Sequence, residues 1–150
     1  FLCSKLTESL LTPFCTLIYN TFRIYDEKFF NNNKCNSNLL KYYNNNFPIQ
    51  CIVLQYLDGT LRSIHNKYLT NDRDKDFKRR LSLYAQIIFG LHTMQKYYEI
   101  VHNDLHEDNI MYEQVNNETI LYYRYKNKIY AIPTFGYIYK IIDFGMSSFK

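Results

Sequence analysis

The sequence predicts an α+β fold. Two patterns carry that reading, and the composition permits it. Runs rich in β-branched and aromatic residues at 14–24, 49–57, 119–132 and 137–142 have the make-up of strands. The segment 76–98 repeats its apolar residues at the period of one long helix. Hydrophobic residues form 47% of the 150 residues, enough for a packed core in a chain the size of one domain or part of one.

Residues 1–11 are expected to end a helix that stops near Pro13. Phe14 to Ile24 then reads as a strand. Asp26 to Asn46 is polar and Asn-rich and is expected to be a long irregular loop. Ile49 to Leu57 is an apolar β-run ending at the turn signal Asp58-Gly59, and Thr60 to Tyr68 reads as a short helix. The main helix should run from about Asp76 to Tyr98, with Asp72 or Asp74 accepting from free backbone N–H groups at its start. Phe77, Leu81, Tyr84, Ile88 and Leu91 alternate in steps of four and three, and Ile87, Met94 and Tyr98 widen the stripe. That stripe is expected to be the buried face. Gly90 inside the helix costs about 1 kcal/mol relative to Ala. Either the stripe outweighs that cost or Gly90 marks a close approach by another element. A loop from Ile100 to Asn109 follows, and Ile110-Met111-Tyr112 opens a strand-rich stretch. Thr119 to Tyr125 and Ile129 to Ile132 flank Lys126-Asn127-Lys128, a hairpin turn closed by Pro133. Tyr137 to Ile142 is a strand that runs into Asp143-Phe144-Gly145.

Composition narrows the function classes. The net charge of +4 is spread along the chain with one short cluster at Lys78-Arg79-Arg80, and no basic stripe follows a nucleic-acid backbone. The four cysteines, Cys3, Cys15, Cys35 and Cys51, form no CxxC pair and no zinc-finger spacing, and read as reduced thiols. No segment reaches the ~18 apolar residues of a membrane span. The start lacks the marks of a secretory signal. An intracellular protein without membrane or nucleic-acid partners is expected, and because the chain begins at Phe1 rather than Met, residues upstream are expected too.

The chemistry is concentrated in His102-Asn103-Asp104-Leu105-His106-Glu107-Asp108-Asn109 and in Asp143-Phe144-Gly145. Phosphoryl transfer asks little covalent chemistry of a protein. It needs a carboxylate to orient and deprotonate the attacking hydroxyl, and oxygen ligands that hold Mg²⁺ on the phosphates. Mg²⁺ is content with one or two such ligands plus water and phosphate. Asp104, Asn109 and Asp143 supply that inventory. Glu107 and Asp108 read as solvated loop charges, and His65 and His92 as surface or packing histidines.

This pair of motifs resembles the eukaryotic protein kinase family, whose catalytic loop reads His-Arg-Asp-Leu-x-x-x-Asn and whose magnesium motif is Asp-Phe-Gly. The resemblance extends from about Thr12 to the C-terminus, and the Asn-rich style is most similar to serine/threonine kinases of large DNA viruses. It implies a truncated kinase-like fold: a small-lobe remnant and hinge strand over residues 1–57, and a large-lobe portion over residues 58–150. It implies ATP and Mg²⁺ as cofactors and a protein Ser or Thr hydroxyl as acceptor. By the same resemblance Asp104 is the catalytic base, and Asn109 and Asp143 hold the metal. Backbone groups at Gln55 and Leu57 meet adenine, Leu54 guards the back of its pocket and Met111 forms the floor. His102 is expected to pack beneath the Asp-Phe-Gly turn.

Several features depart from the family pattern. Asn103 replaces the Arg that grips a phosphorylated activation loop, so activity independent of that phosphorylation is expected. His106 stands where serine/threonine kinases have Lys. It is assigned a donor role toward the transferred phosphate, stronger when protonated. The stretch from Asn109 to Asp143 is long, and its surplus hairpin reads as surface elaboration or a partner site. The four glycines, Gly59, Gly90, Gly136 and Gly145, form no phosphate loop, and no Val-Ala-Ile-Lys-like strand precedes the hinge. Two alternatives follow. Leu105-His106 is shared with small-molecule kinases of the aminoglycoside and choline type, and the missing lysine and phosphate loop fit an inactive pseudokinase or interaction module.

Overall fold

The computed structural model describes residues 13–25, 28, 48–64 and 72–149. The structure is α+β and divides into two compact units, one of residues 18–55 and one formed by residues 56–150 with the segment before Ile18. The expected helix over residues 1–11 and nearly all of the Asn-rich loop lie outside the described residues, as do Cys3, Cys35 and His65. The described cysteines, Cys15 and Cys51, are not in disulfides. Among the described residues no helix is long and apolar enough to cross a membrane.

The smaller unit is an antiparallel pair, β1 (Ile18–Ile24) with β2 (Ile49–Leu54). Ile24 faces Ile49 across the ladder, and these two buried side chains with half-buried Phe22 and Cys51 form its small core. Arg23 Nε donates to Gln50 Oε1 at 3.1 Å on the cross-strand pair.

The larger unit is built on a three-stranded antiparallel sheet in the order β3 (Gly59–Thr60), β5 (Ile110–Gln114), β8 (Tyr137–Ile141). Phe14 to Leu17 do not extend β1, as the sequence suggests. They pack with this unit instead, where Cys15 bridges Ile141 in parallel and the Ile141 N–H donates to the Phe14 carbonyl at 2.7 Å. A short helix, α1 (Leu61–Ile64), follows β3, and the rest of the helix expected to Tyr68 is outside the described residues.

Helix α2 spans Arg73–Tyr98. Asp72 caps it, its Oδ1 accepting from the Lys75 N–H at 3.0 Å, and Glu99 ends it in the left-handed region at φ 56°. The helix is where the periodicity puts it, but its buried face is the expected stripe only in part: Ile87 and Met94 are buried, and Leu91 and Tyr98 pack against the core. Phe77, Leu81, Tyr84 and Ile88 are all more than half exposed. The packed face carries Ser82, Gln86, Gly90 and Met94 at steps of four, with Ile87 beside them. Polar and small residues win that face because each has a specific partner. The Ser82 hydroxyl donates to the Pro133 carbonyl at 2.6 Å. The Gln86 carboxamide donates to the Tyr137 carbonyl at 3.1 Å and accepts from the Tyr139 N–H at 3.0 Å, which ties α2 to β8. Gly90 does mark a close approach, because a Cβ there would lie 2.8 Å from the Phe14 ring.

The hairpin forms as β6 (Ile120–Tyr125) and β7 (Lys128–Pro133), with Lys126 and Asn127 both left-handed at φ 45° and 50°. Two positive φ angles in a two-residue loop match the twist of the paired strands. Tyr123 inserts between Phe14 and Phe89, stacked on each at 5.3 and 4.7 Å, and fixes the hairpin to the helix. Burial pushes the Tyr123 hydroxyl well above the usual tyrosine range.

Candidate active site

Two short pairings set the stage. β4 (Ile100–Val101) leads out of α2, pairs with β9 (Ser148–Phe149) and delivers the chain to the loop 102–109. β5 and β8 pair from Ile110↔Ile141 onward, so the residues just before β5 and just after β8 emerge at the same end of the sheet. Asn109 precedes β5, and Asp143 lies two residues past β8.

The two segments are laced together. The His102 ring is buried, and its Nε2 is 2.9 Å from the Ile142 carbonyl. The Asp104 N–H donates to His102 Nδ1 at 3.3 Å. One tautomer satisfies both contacts, with the proton on Nε2. The ring also packs edge-on against Phe144 at 5.0 Å, beneath the Asp-Phe-Gly turn. The Ile142 N–H donates to the Asn109 carbonyl at 3.0 Å, and the Ser147 hydroxyl donates to the His102 carbonyl at 3.4 Å.

Within the loop, the Asn109 amide nitrogen donates to the Asp104 carbonyl at 2.9 Å and lies 3.4 Å from the Asp104 carboxylate. Asn109 is buried, while Asp104 is half-exposed, so the carboxylate is held at its base and open at its tip. His106 Nδ1 accepts from the Asp108 N–H at 3.2 Å. Its Nε2 lies 3.0 Å from the Asn109 amide and 3.9 Å from the Asp104 carboxylate. Asp104, His106 and Asn109 thus converge on one small region.

Asp108 is not merely solvated, as the sequence suggests. Its carboxylate accepts from Arg62 Nε of α1 at 2.7 Å. That bond holds the carboxyl below the usual carboxylate range and raises the guanidinium. Nothing in the spacing of residues 62 and 108 marks the pair, because β3 and β5 bring them together. Glu107 is exposed.

Asp143 is exposed and left-handed at φ 58°, with its Oδ1 accepting from the Gly145 N–H at 3.2 Å. Asn103 is also left-handed, at φ 64°. Non-glycine residues keep such angles where their surroundings enforce them, commonly at functional sites. Asn103 Nδ2 donates to the Met146 carbonyl at 3.1 Å and to the Ser148 hydroxyl at 2.9 Å, a link between the two segments that the sequence did not show. Of the expected nucleotide contacts, Leu57 is buried and Met111 half-buried in the larger unit, while Leu54 and Gln55 close the smaller one. Among the described residues no three His, Cys, Asp or Glu side chains gather as a metal cluster. A site of one carboxylate and one amide oxygen is a different donor set.

No family model matches the chain. It is 32% identical over 114 residues to Uncharacterized protein 098R of Invertebrate iridescent virus 6, a match covering 73% of this chain and 19% of that protein. It is 34% identical over 112 residues to Uncharacterized protein 179R of the same virus, over 71% of this chain and 9% of that protein. It is 32% identical over 98 residues to the Serine/threonine-protein kinase haspin homolog of Arabidopsis thaliana, over 65% of this chain and 15% of that protein. The chain therefore shares a distant, partial similarity with a kinase homologue, and it spans less than a fifth of the length of these curated relatives.

Proposed function

We propose that this chain contributes the catalytic loop and metal-binding turn of a protein serine/threonine kinase-type phosphotransferase, one that moves the γ-phosphate of ATP to a protein hydroxyl. The observation that carries the reading is the lacing of residues 102–109 to residues 142–148. The His102–Ile142, Ile142–Asn109 and Asn103–Met146 contacts tie the segment bearing Asp104 and Asn109 to the turn bearing Asp143. The partial similarity to the haspin homologue supports the same class.

In this reading Asp104 orients the attacking hydroxyl and takes its proton, since its carboxylate is anchored by Asn109 and open on its outer side. Asp143 and Asn109 would hold Mg²⁺. The donor set fits: Asp143 offers an exposed carboxylate, and the Asn109 amide turns its nitrogen to Asp104, which sends its oxygen elsewhere. Bound there, Mg²⁺ would neutralise charge on the phosphates. His106 Nε2 lies 3.0 Å from the Asn109 amide nitrogen and 3.9 Å from the Asp104 carboxylate, and His106 is assigned the donor role toward the transferred phosphate. Leu57 and Met111 of the larger unit are assigned to adenine, and the whole protein's substrate is a Ser- or Thr-bearing protein.

Isothermal titration of the chain with ATP tests this. Binding should require Mg²⁺ and be lost in Asp143→Asn. Equal affinity without Mg²⁺ or in the variant would refute it. Transfer from labelled ATP to basic proteins, rather than to aminoglycosides or choline, separates the protein-kinase reading from the small-molecule one.

A further inference from the structure

A cavity of about 340 Å³ opens between α2 and β7. Leu81 and Ala85 of the helix form one wall, and Ile132, Pro133 and Phe135 form the other. Two polar side chains reach it, and both are engaged. The Ser82 hydroxyl donates to the Pro133 carbonyl, and Lys78 pairs with Asp74. The cavity is therefore suited to an apolar side chain rather than to a ligand read by hydrogen bonds. The two elements that form it also carry exposed apolar side chains. Phe77, Tyr84 and Ile88 are exposed along α2, and Tyr122 and Ile129 are exposed on the hairpin. Exposed Leu81 and Ala131 open the cavity itself to solvent, and apolar side chains on both of its walls suit it to hold an apolar anchor.

Charge selects the partner. From Ile120 to Pro133 the chain carries Arg124, Lys126 and Lys128 and no Asp or Glu. Among the described residues β7 pairs only with β6, so its other edge has no strand beside it. An extended segment along β7 would travel ~17–20 Å from Pro133 to Lys128. It would place an apolar side chain in the cavity and its acidic residues beside the hairpin's cations. We propose that this groove docks an extended acidic segment of a protein partner, anchored by one large apolar side chain. The proposal is independent of the phosphotransfer reading, since it uses none of the loop residues.

A fluorescein-labelled peptide of Asp and Glu around one central leucine is the probe, followed by anisotropy against the 150-residue chain. Saturable binding is expected. Replacing the peptide's leucine by alanine, or introducing Leu81→Glu or Ala131→Glu, should weaken it about tenfold or more. Lys128→Glu should also weaken binding, by a factor that shrinks as salt rises. Both cavity positions are exposed, so the variants should melt as the parent does. No binding, equal binding of the leucine-free peptide, or unchanged binding by both cavity variants would overturn the proposal. So would tighter binding of labelled oligodeoxythymidine than of the peptide, or a dimer of the chain that Leu81→Glu dissociates.

Discussion

His102 Nε2 and the Ile142 carbonyl oxygen lie 2.9 Å apart, and this contact fastens the loop of Asp104 to the strand end that precedes Asp143. The ring is buried and its second nitrogen also accepts a bond. His102→Ala should destabilise the larger unit by about 2–4 kcal/mol, from a cavity plus orphaned backbone groups. Urea unfolding measures the loss. Ring ¹⁵N shifts should show the Nε2–H tautomer, and the Nδ1–H tautomer would contradict the geometry.

Asn103 bonds directly to Met146 and Ser148, where the family pattern has an Arg that requires a phosphate. The segment after Asp143 is thus held by neutral hydrogen bonds. Asn103→Ala should raise amide exchange at residues 146–148, and phosphatase treatment of active protein should leave its turnover unchanged. A strong loss of turnover after phosphatase would contradict this.

Gln86 is completely buried and satisfies two backbone groups of β8. Gln86→Leu keeps the apolar surroundings content but leaves those groups short of a partner. A loss of about 1–3 kcal/mol per orphaned group is expected on denaturant unfolding. A neutral result would mean the strand repairs its own bonds.

Lys140 is buried on β8, donating to the Pro13 carbonyl at 3.0 Å and facing Glu113 at 3.5 Å. Burial lowers its ammonium below the ordinary lysine value of 10.5 against the opposing pull of Glu113. Between the lowered folded value and 10.5 the unfolded chain binds more protons, so stability rises with pH there. Lys140→Met orphans the Pro13 carbonyl and leaves Glu113 without its partner, so it should melt below the parent, and the deficit should grow as pH climbs toward 10.5 because the parent gains stability there. A deficit that shrinks with rising pH would contradict the lowered lysine value.

The elements were legible where periodicity, caps and turn residues agree. Asp72 or Asp74 as a helix cap and Lys126-Asn127-Lys128 as a hairpin turn are chemical signals, and the structure uses Asp72 and a turn at Lys126-Asn127. The face of α2 was legible at Ile87 and Met94 but not at its polar positions. Periodicity counts apolar residues, whereas Ser82 and Gln86 are buried because β7 and β8 supply backbone partners far along the chain. Gly90 was readable as a close approach, but not as one by Phe14. At the site, the order of residues named Asp104, His106, Asn109 and Asp143. The links through Asn103 and Arg62 depend on strand pairing, which one sequence does not display.

In the proposed phosphotransfer, one metal-bound nucleotide is held by both segments at once. Mn²⁺, a paramagnetic stand-in for Mg²⁺ with the same preference for oxygen ligands, tests it by NMR in the presence of ATP. At substoichiometric Mn²⁺ the amide signals of Asn109 and Asp143 should broaden together, and Asp143→Asn should abolish the effect at both. Broadening of one segment alone, or only at surface acids such as Asp72 and Asp74, would contradict the account.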